Sequence, residues 1–128
     1  MIMIEINEEL KQLVENNIVA FASVDEAGKP HNIAVAYPKV VSKNQIIITD
    51  NFMKETIQNI LKNNSISLVV WNTDWEDIKD CYGYELRGTI KYFTSGKWHD
   101  FVKNMKKNKG LPAKGAILIT VNKIKKLT

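Results

Sequence analysis

What most limits the folds open to this chain is a series of short β-forming runs separated by tight turn signals. IVAFASV begins at Ile18 and PHNIAVAY at Pro30, with DEAGK between them, a turn built on Asp25 and Gly28. Val40 and Val41 lead through a second turn at Lys43 and Asn44 into a third run, Gln45 to Thr49. There Ile46, Ile47 and Ile48 are consecutive and apolar, the pattern of a strand buried on both faces. SISLVVW, YELRGTIKYF and AILITVNKI follow, and Gly88 inside the second of these marks a bend or bulge. Parallel βαβ winding needs a helix between most pairs of strands, yet the first three are joined by tight turns. The pattern predicts a mainly β chain with short helices: a six-stranded barrel, closed or nearly closed, with helices packed over it. A chain of 128 residues is sized for one core, so a single domain over 1–128 is expected.

Three amphipathic segments interrupt the strands. Asn7 caps the first, with Glu8 and Glu9 in its opening turn and Ile6, Leu10, Leu13 and Val14 at helical spacing. Asp50 or Asn51 is the expected cap of the second, whose stripe is Met53, Ile57, Ile60 and Leu61. Trp98, Phe101, Val102 and Met105 form the stripe of the third, and Gly110 and Pro112 end it.

Composition removes several function classes. No apolar run reaches membrane-spanning length, and MIMIEINEELK carries acids where a secretory signal needs basic residues, so the expected location is the cytoplasm with no membrane partner. Cys81 is the only cysteine, and nothing beside it suggests a zinc ligand set or an activated thiol. The net charge of +4 is local: from Lys97 onward nine lysines face one acid, Asp100. With Arg87 the only arginine, this reads as a solvated helix face rather than a nucleic-acid surface. The acids Asp74, Glu76, Asp77 and Asp80 lack the order of a calcium loop, and no metal site is expected. Neither His31 nor His99 has a catalytic partner implied by spacing, and no nucleophile motif is present, so catalytic residues are not assigned.

One segment carries chemistry of its own. The Ile46–Ile48 run ends in Thr49-Asp50-Asn51-Phe52, and a helix starts at once with Met53-Lys54-Glu55-Thr56. Free N–H groups and the positive end of the helix dipole stabilise a phosphate, to which Lys54 adds a charge and Thr56 a hydroxyl donor. The segment alone reads at least as well as an ordinary capped helix.

Taken together, VAFASVDEAGKPHNIAVAY, FMKETIQNILKNNSISLVV, GYELRGTIKYFTSG and AILITVNKI resemble, in order and spacing over about a hundred residues, the motifs of the FMN-binding split-barrel family. That family includes pyridoxamine 5'-phosphate oxidase and the small FMN-binding proteins of anaerobic bacteria. The resemblance implies a six-stranded split barrel of Greek-key type, a homodimer, and FMN at each of two subunit-interface sites. It places Thr49, Asp50, Phe52 and Met53 along the ribityl chain and ring, and Lys54 and Thr56 at the phosphate. Val35, Ala36 and Tyr37 are then set against the flavin, and the second subunit closes the site with its Trp71 or Tyr82–Leu86 region. Trp71, Trp75, Tyr82 and Tyr84 have flat faces that suit the isoalloxazine ring, although core or interface packing is their commoner use. Two departures stand out. Glu55 takes the position where the small proteins commonly have lysine, and the chain ends in NKIKKLT rather than in the oxidases' arginine- and proline-containing segment. The implied function is an FMN-dependent oxidoreductase or electron carrier without pyridoxamine phosphate oxidation. The alternative is a non-redox dimeric module for another phosphorylated planar ligand.

Overall fold

The computed structural model describes residues 4–127; the ends of the expected 1–128 domain lie outside the described residues. Strand β1 (Val19–Val24) pairs with β2 (Pro30–Val35), and β3 (Lys39–Ser42) pairs with β4 (Gln45–Asp50). After these come β5 (Ser65–Trp71), β6 (Gly83–Phe93) and β7 (Gly115–Leu127). All pairings are antiparallel, in the order β2-β1-β5-β6-β7-β4-β3. The strand count is therefore seven among the described residues rather than six. Val40 and Val41, read as the approach to a turn, form their own short strand, with Val40 opposite Ile46. Strands β5, β6 and β7 are consecutive neighbours and β4 lies beside β7, a Greek-key arrangement.

Chain connectivity shows that this sheet is rolled. Six steps of about 4.8 Å would hold β2 and β3 roughly 29 Å apart in a flat sheet. Only residues 36–38 join the two strands, and Val35 to Lys39 spans at most about 14 Å. The sheet must curl until its edges approach, yet β2 and β3 are not paired. The barrel is split along that line.

Alternation then sorts the side chains. Ile46 and Ile48 of β4 join Ile117, Ile119 and Val121 of β7, Phe21, Leu68, Val70 and Leu86 in the interior core. Ile47 points the other way and packs with Ala116, Leu118 and Val102. The expectation that the Ile46–Ile48 run is buried on both faces is met, because a helix covers the outer face.

Helix α1 (Glu8–Glu15) is capped as predicted: the Asn7 side chain accepts from the Leu10 N–H at 2.9 Å. Leu10, Leu13 and Val14 add to the interior core. Helix α2 (Glu55–Lys62) contributes Ile60, and its Asn59 amide donates to the Ser23 hydroxyl at 3.1 Å, fixing the helix on β1. Leu61, expected on the buried stripe, is 65% exposed, and the buried positions are Thr56, Asn59 and Ile60. Helix α3 (Lys97–Lys103) lies on the outer face of β4 and β7, burying Val102, while Phe101 remains exposed. The side chains of Lys97, Lys103, Lys106, Lys107 and Lys109 are all exposed, as a solvated face requires. No helix among the described residues is long and apolar enough to cross a membrane, and no group of potential metal ligands is found among them.

Candidate functional site

The split in the barrel is also where the predicted site residues meet. A cleft of about 510 Å3 lies between the β2 edge and the β4–α2 turn, a volume suited to a cofactor-sized molecule. Val35, Ala36 and Tyr37 form one wall, and Thr49, Phe52, Met53, Lys54 and Thr56 form the other. These are eight of the nine expected cofactor contacts, drawn from two stretches of chain that the sequence separates by a whole hairpin.

Asp50 is the exception. Only 1% exposed, it lies beneath the turn, outside the cleft lining. One carboxylate oxygen accepts from the Met53 N–H at 3.0 Å and the other from the Tyr92 hydroxyl at 2.6 Å. Neither Asp50 nor Asn51 caps α2: Lys54 occupies the N-cap position and no side chain caps the helix. Asp50 shapes the turn, and the Asn51 side-chain oxygen accepts from the Ala113 N–H at 2.8 Å, tying the turn to the segment before β7. Asn108 donates to the Thr49 hydroxyl at 2.8 Å, so the floor of the site is held by three separate parts of the chain.

Burial, then the hydrogen bond and charge of Asp50, push the Tyr92 phenol above its usual range. Tyr92→Phe removes a charge-assisted donor from a buried carboxylate and is expected to cost about 1–3 kcal/mol of stability. Urea denaturation checks this. The folded state holds the phenol proton more tightly than the unfolded state. The contribution is thus present below the unfolded phenol pKa of about 10 and declines as pH rises above it. The difference between parent and variant should shrink accordingly in alkaline titrations.

The α2 end of the cleft has the character of an anion site. The Gln58 N–H donates to the Lys54 carbonyl at 3.1 Å, and the N–H groups of residues 55–57 have no acceptor within the helix. Thr56 is 1% exposed and lines the cleft. Every fully enclosed side-chain nitrogen or oxygen among the described residues is hydrogen-bonded. The Thr56 hydroxyl, bonded to none of them, is the atom through which that residue meets the cleft.

Several lining residues were not foreseen. His31 and Ile33 precede Val35 at alternate positions of β2, so strand periodicity was a usable signal for them. Leu111 reaches the cleft from the α3–β7 connection, where no local pattern points to it. Glu55 does not stand free: the His31 Nδ1 lies 3.1 Å from its carboxylate. Trp71, Trp75, Tyr82 and Tyr84 do not line the cleft of their own chain. His99 is satisfied structurally, its Nε2 2.7 Å from the Ala113 carbonyl.

Comparison with known proteins matches the chain to a family. The pattern of the family described as pyridoxamine 5'-phosphate oxidase covers residues 6–128. An uncharacterized protein of Methanocaldococcus jannaschii is 31% identical over 126 residues, covering 95% of this chain and 80% of that one. The crystal structure of HupZ from Group A Streptococcus has a TM-score of 0.83 at 25% identity, covering 95% of this chain and 94% of its own. An FMN-binding protein from Syntrophomonas wolfei subsp. wolfei shares the fold, with a TM-score of 0.77 at 16% identity over 92% of this chain and 83% of that one.

Proposed function

The chain belongs to the pyridoxamine 5'-phosphate oxidase family, and from that premise we propose that it is a cytoplasmic flavoprotein, an oxidoreductase or electron carrier that holds FMN in the β2/α2 cleft. The observation that carries this reading is the hydroxyl of Thr56, a residue only 1% exposed that lines the cleft, which has no partner among the described residues and lies beside uncapped helix N–H groups. A phosphate supplies the acceptor that this end of the cleft lacks. Lys54 adds positive charge, Met53 and Phe52 lie along the path from phosphate to ring, and Val35, Ala36 and Tyr37 offer the strand wall for the isoalloxazine. When bound, FMN supplies hydride or electron transfer; the protein fixes its position and excludes water from one face.

The reading includes a homodimer. Phe52 is 73% exposed, and Tyr37 and Leu111 are also exposed at the same cleft, an apolar rim that a second copy would cover. The Trp71 and Tyr82–Leu86 region of that copy is proposed to close the site.

The visible absorption spectrum of the purified protein, with mass analysis of any ligand released on denaturation, tests cofactor and stoichiometry together. Flavin bands and the mass of FMN at one per chain support the reading. A colourless protein that leaves the fluorescence of added FMN unchanged overturns it. A Soret band, or release of a different phosphorylated ligand, assigns the cleft to another planar molecule.

A further inference from the structure

Glu55 is out of place at a phosphate site, and the structure shows which side chain its carboxylate meets. The His31 Nδ1 lies 3.1 Å from the Glu55 Oε2. A carboxylate only accepts, so the two side chains pair when Nδ1 bears the hydrogen. Both residues line the same end of the cleft as Lys54 and Thr56. Their settings differ: the Glu55 side chain is 61% exposed, whereas the His31 ring is 27% exposed and held on a paired strand. Glu55 can therefore swing into solvent while the His31 N–H stays where it is.

We propose that His31 is a phosphate donor of this site and that Glu55 is its built-in competitor, occupying the His31 N–H until a phosphate-bearing ligand displaces it. The inference rests on the phosphate of the proposed cofactor lying at the α2 end. It assigns the role of the usual lysine to a side chain on a different element, β2. The Glu55 carboxylate keeps the imidazole Nδ1 turned toward this end of the cleft and is exchanged for a phosphate oxygen on binding. Discrimination follows from this exchange: a ligand without phosphate leaves the His31–Glu55 pair intact and gains nothing from the histidine.

The test is a double-mutant cycle in the full chain, titrating FMN and riboflavin separately by flavin fluorescence. Glu55→Gln is expected to tighten FMN about two- to fivefold, the scale of one exposed ion pair. His31→Asn should weaken FMN about tenfold, as loss of a hydrogen bond to a charged group does. Neither change should move riboflavin. In the His31→Asn background the gain from Glu55→Gln should shrink, because nothing is left to compete for. A gain that is undiminished there shows that Glu55 only repels the phosphate, and overturns the proposal. FMN affinity unchanged by both single substitutions also overturns it, while leaving FMN binding itself intact. Failure of the parent chain to bind either flavin is the separate result that removes the cofactor reading. A second variant, His31→Gln, guards against a local effect of the asparagine, and thermal unfolding of each variant confirms that the fold is retained.

Discussion

Thr56→Val is expected to weaken FMN binding about ten- to a hundredfold, the loss of one hydrogen bond to a charged group in a site shielded from solvent. Riboflavin, which has no phosphate, should bind as it does to the parent chain. The substitution is nearly isosteric, and the hydroxyl it removes has no partner in the protein among the described residues, so the fold loses nothing with it. Val in its place leaves the phosphate without a donor at a buried position. Lys54 is exposed, and Lys54→Gln should weaken FMN by a smaller factor, on the order of two- to fivefold, because solvent screens its charge. Fluorescence titrations of the two variants with both flavins separate phosphate recognition from ring binding. If neither variant changes the affinity for FMN, the phosphate lies elsewhere.

Gly88→Ala should destabilise the protein by at least about 3 kcal/mol, the upper range for overpacking a site that cannot yield. A Cβ added there would meet the Thr120 carbonyl oxygen at 2.2 Å and its carbonyl carbon at 2.9 Å. Both are backbone atoms of β7 in the longest ladder of the sheet, so relief requires separating two central strands. The register explains the contact. Arg87 pairs with Lys123 and Gly88 with Val121, leaving Asn122 as the extra residue of a bulge on β7 that presses the two backbones together at the glycine. A urea midpoint that falls with an unchanged denaturant slope is the expected signature. Stability within about 0.5 kcal/mol of the parent would show that the bulge can relax.

The parts of the fold legible in the sequence are those whose signal is local. The first hairpin, the apolar Ile46–Ile48 run and the α1 cap each depend on residues within one turn or one strand, and the structure repeats them. Gly88 was readable as an irregularity for the same reason. The start of α2 was not, because Asp50 is an equally good helix cap and buried turn-former in isolation. A tyrosine 42 positions away makes the difference by donating to its carboxylate. Leu61 failed similarly: a helix stripe can be read with a small rotational error, and only the β1 surface, through Asn59 and Ser23, fixes which face turns inward.

The candidate site divides along the same line. Thr49, Phe52, Met53, Lys54 and Thr56 are close in sequence, so the chain by itself determined that a strand would run almost directly into a helix start; that no side chain caps this start emerged only from the structure. Family resemblance added Val35, Ala36 and Tyr37, but residue types on β2 could not say that this strand faces the helix. Tertiary structure decided it. A linker of three residues between β2 and β3 cannot span a flat sheet, so the sheet rolls until its unpaired edge stands across from the β4–α2 turn. That closure brings His31 to Glu55, while the α3–β7 connection, seated beside β4, adds Asn108 to Thr49 and Leu111 to the cleft. Local propensity and periodicity act over a few residues and are written in the sequence. Contacts across the split depend on the curvature of the whole sheet, a property that no single segment carries.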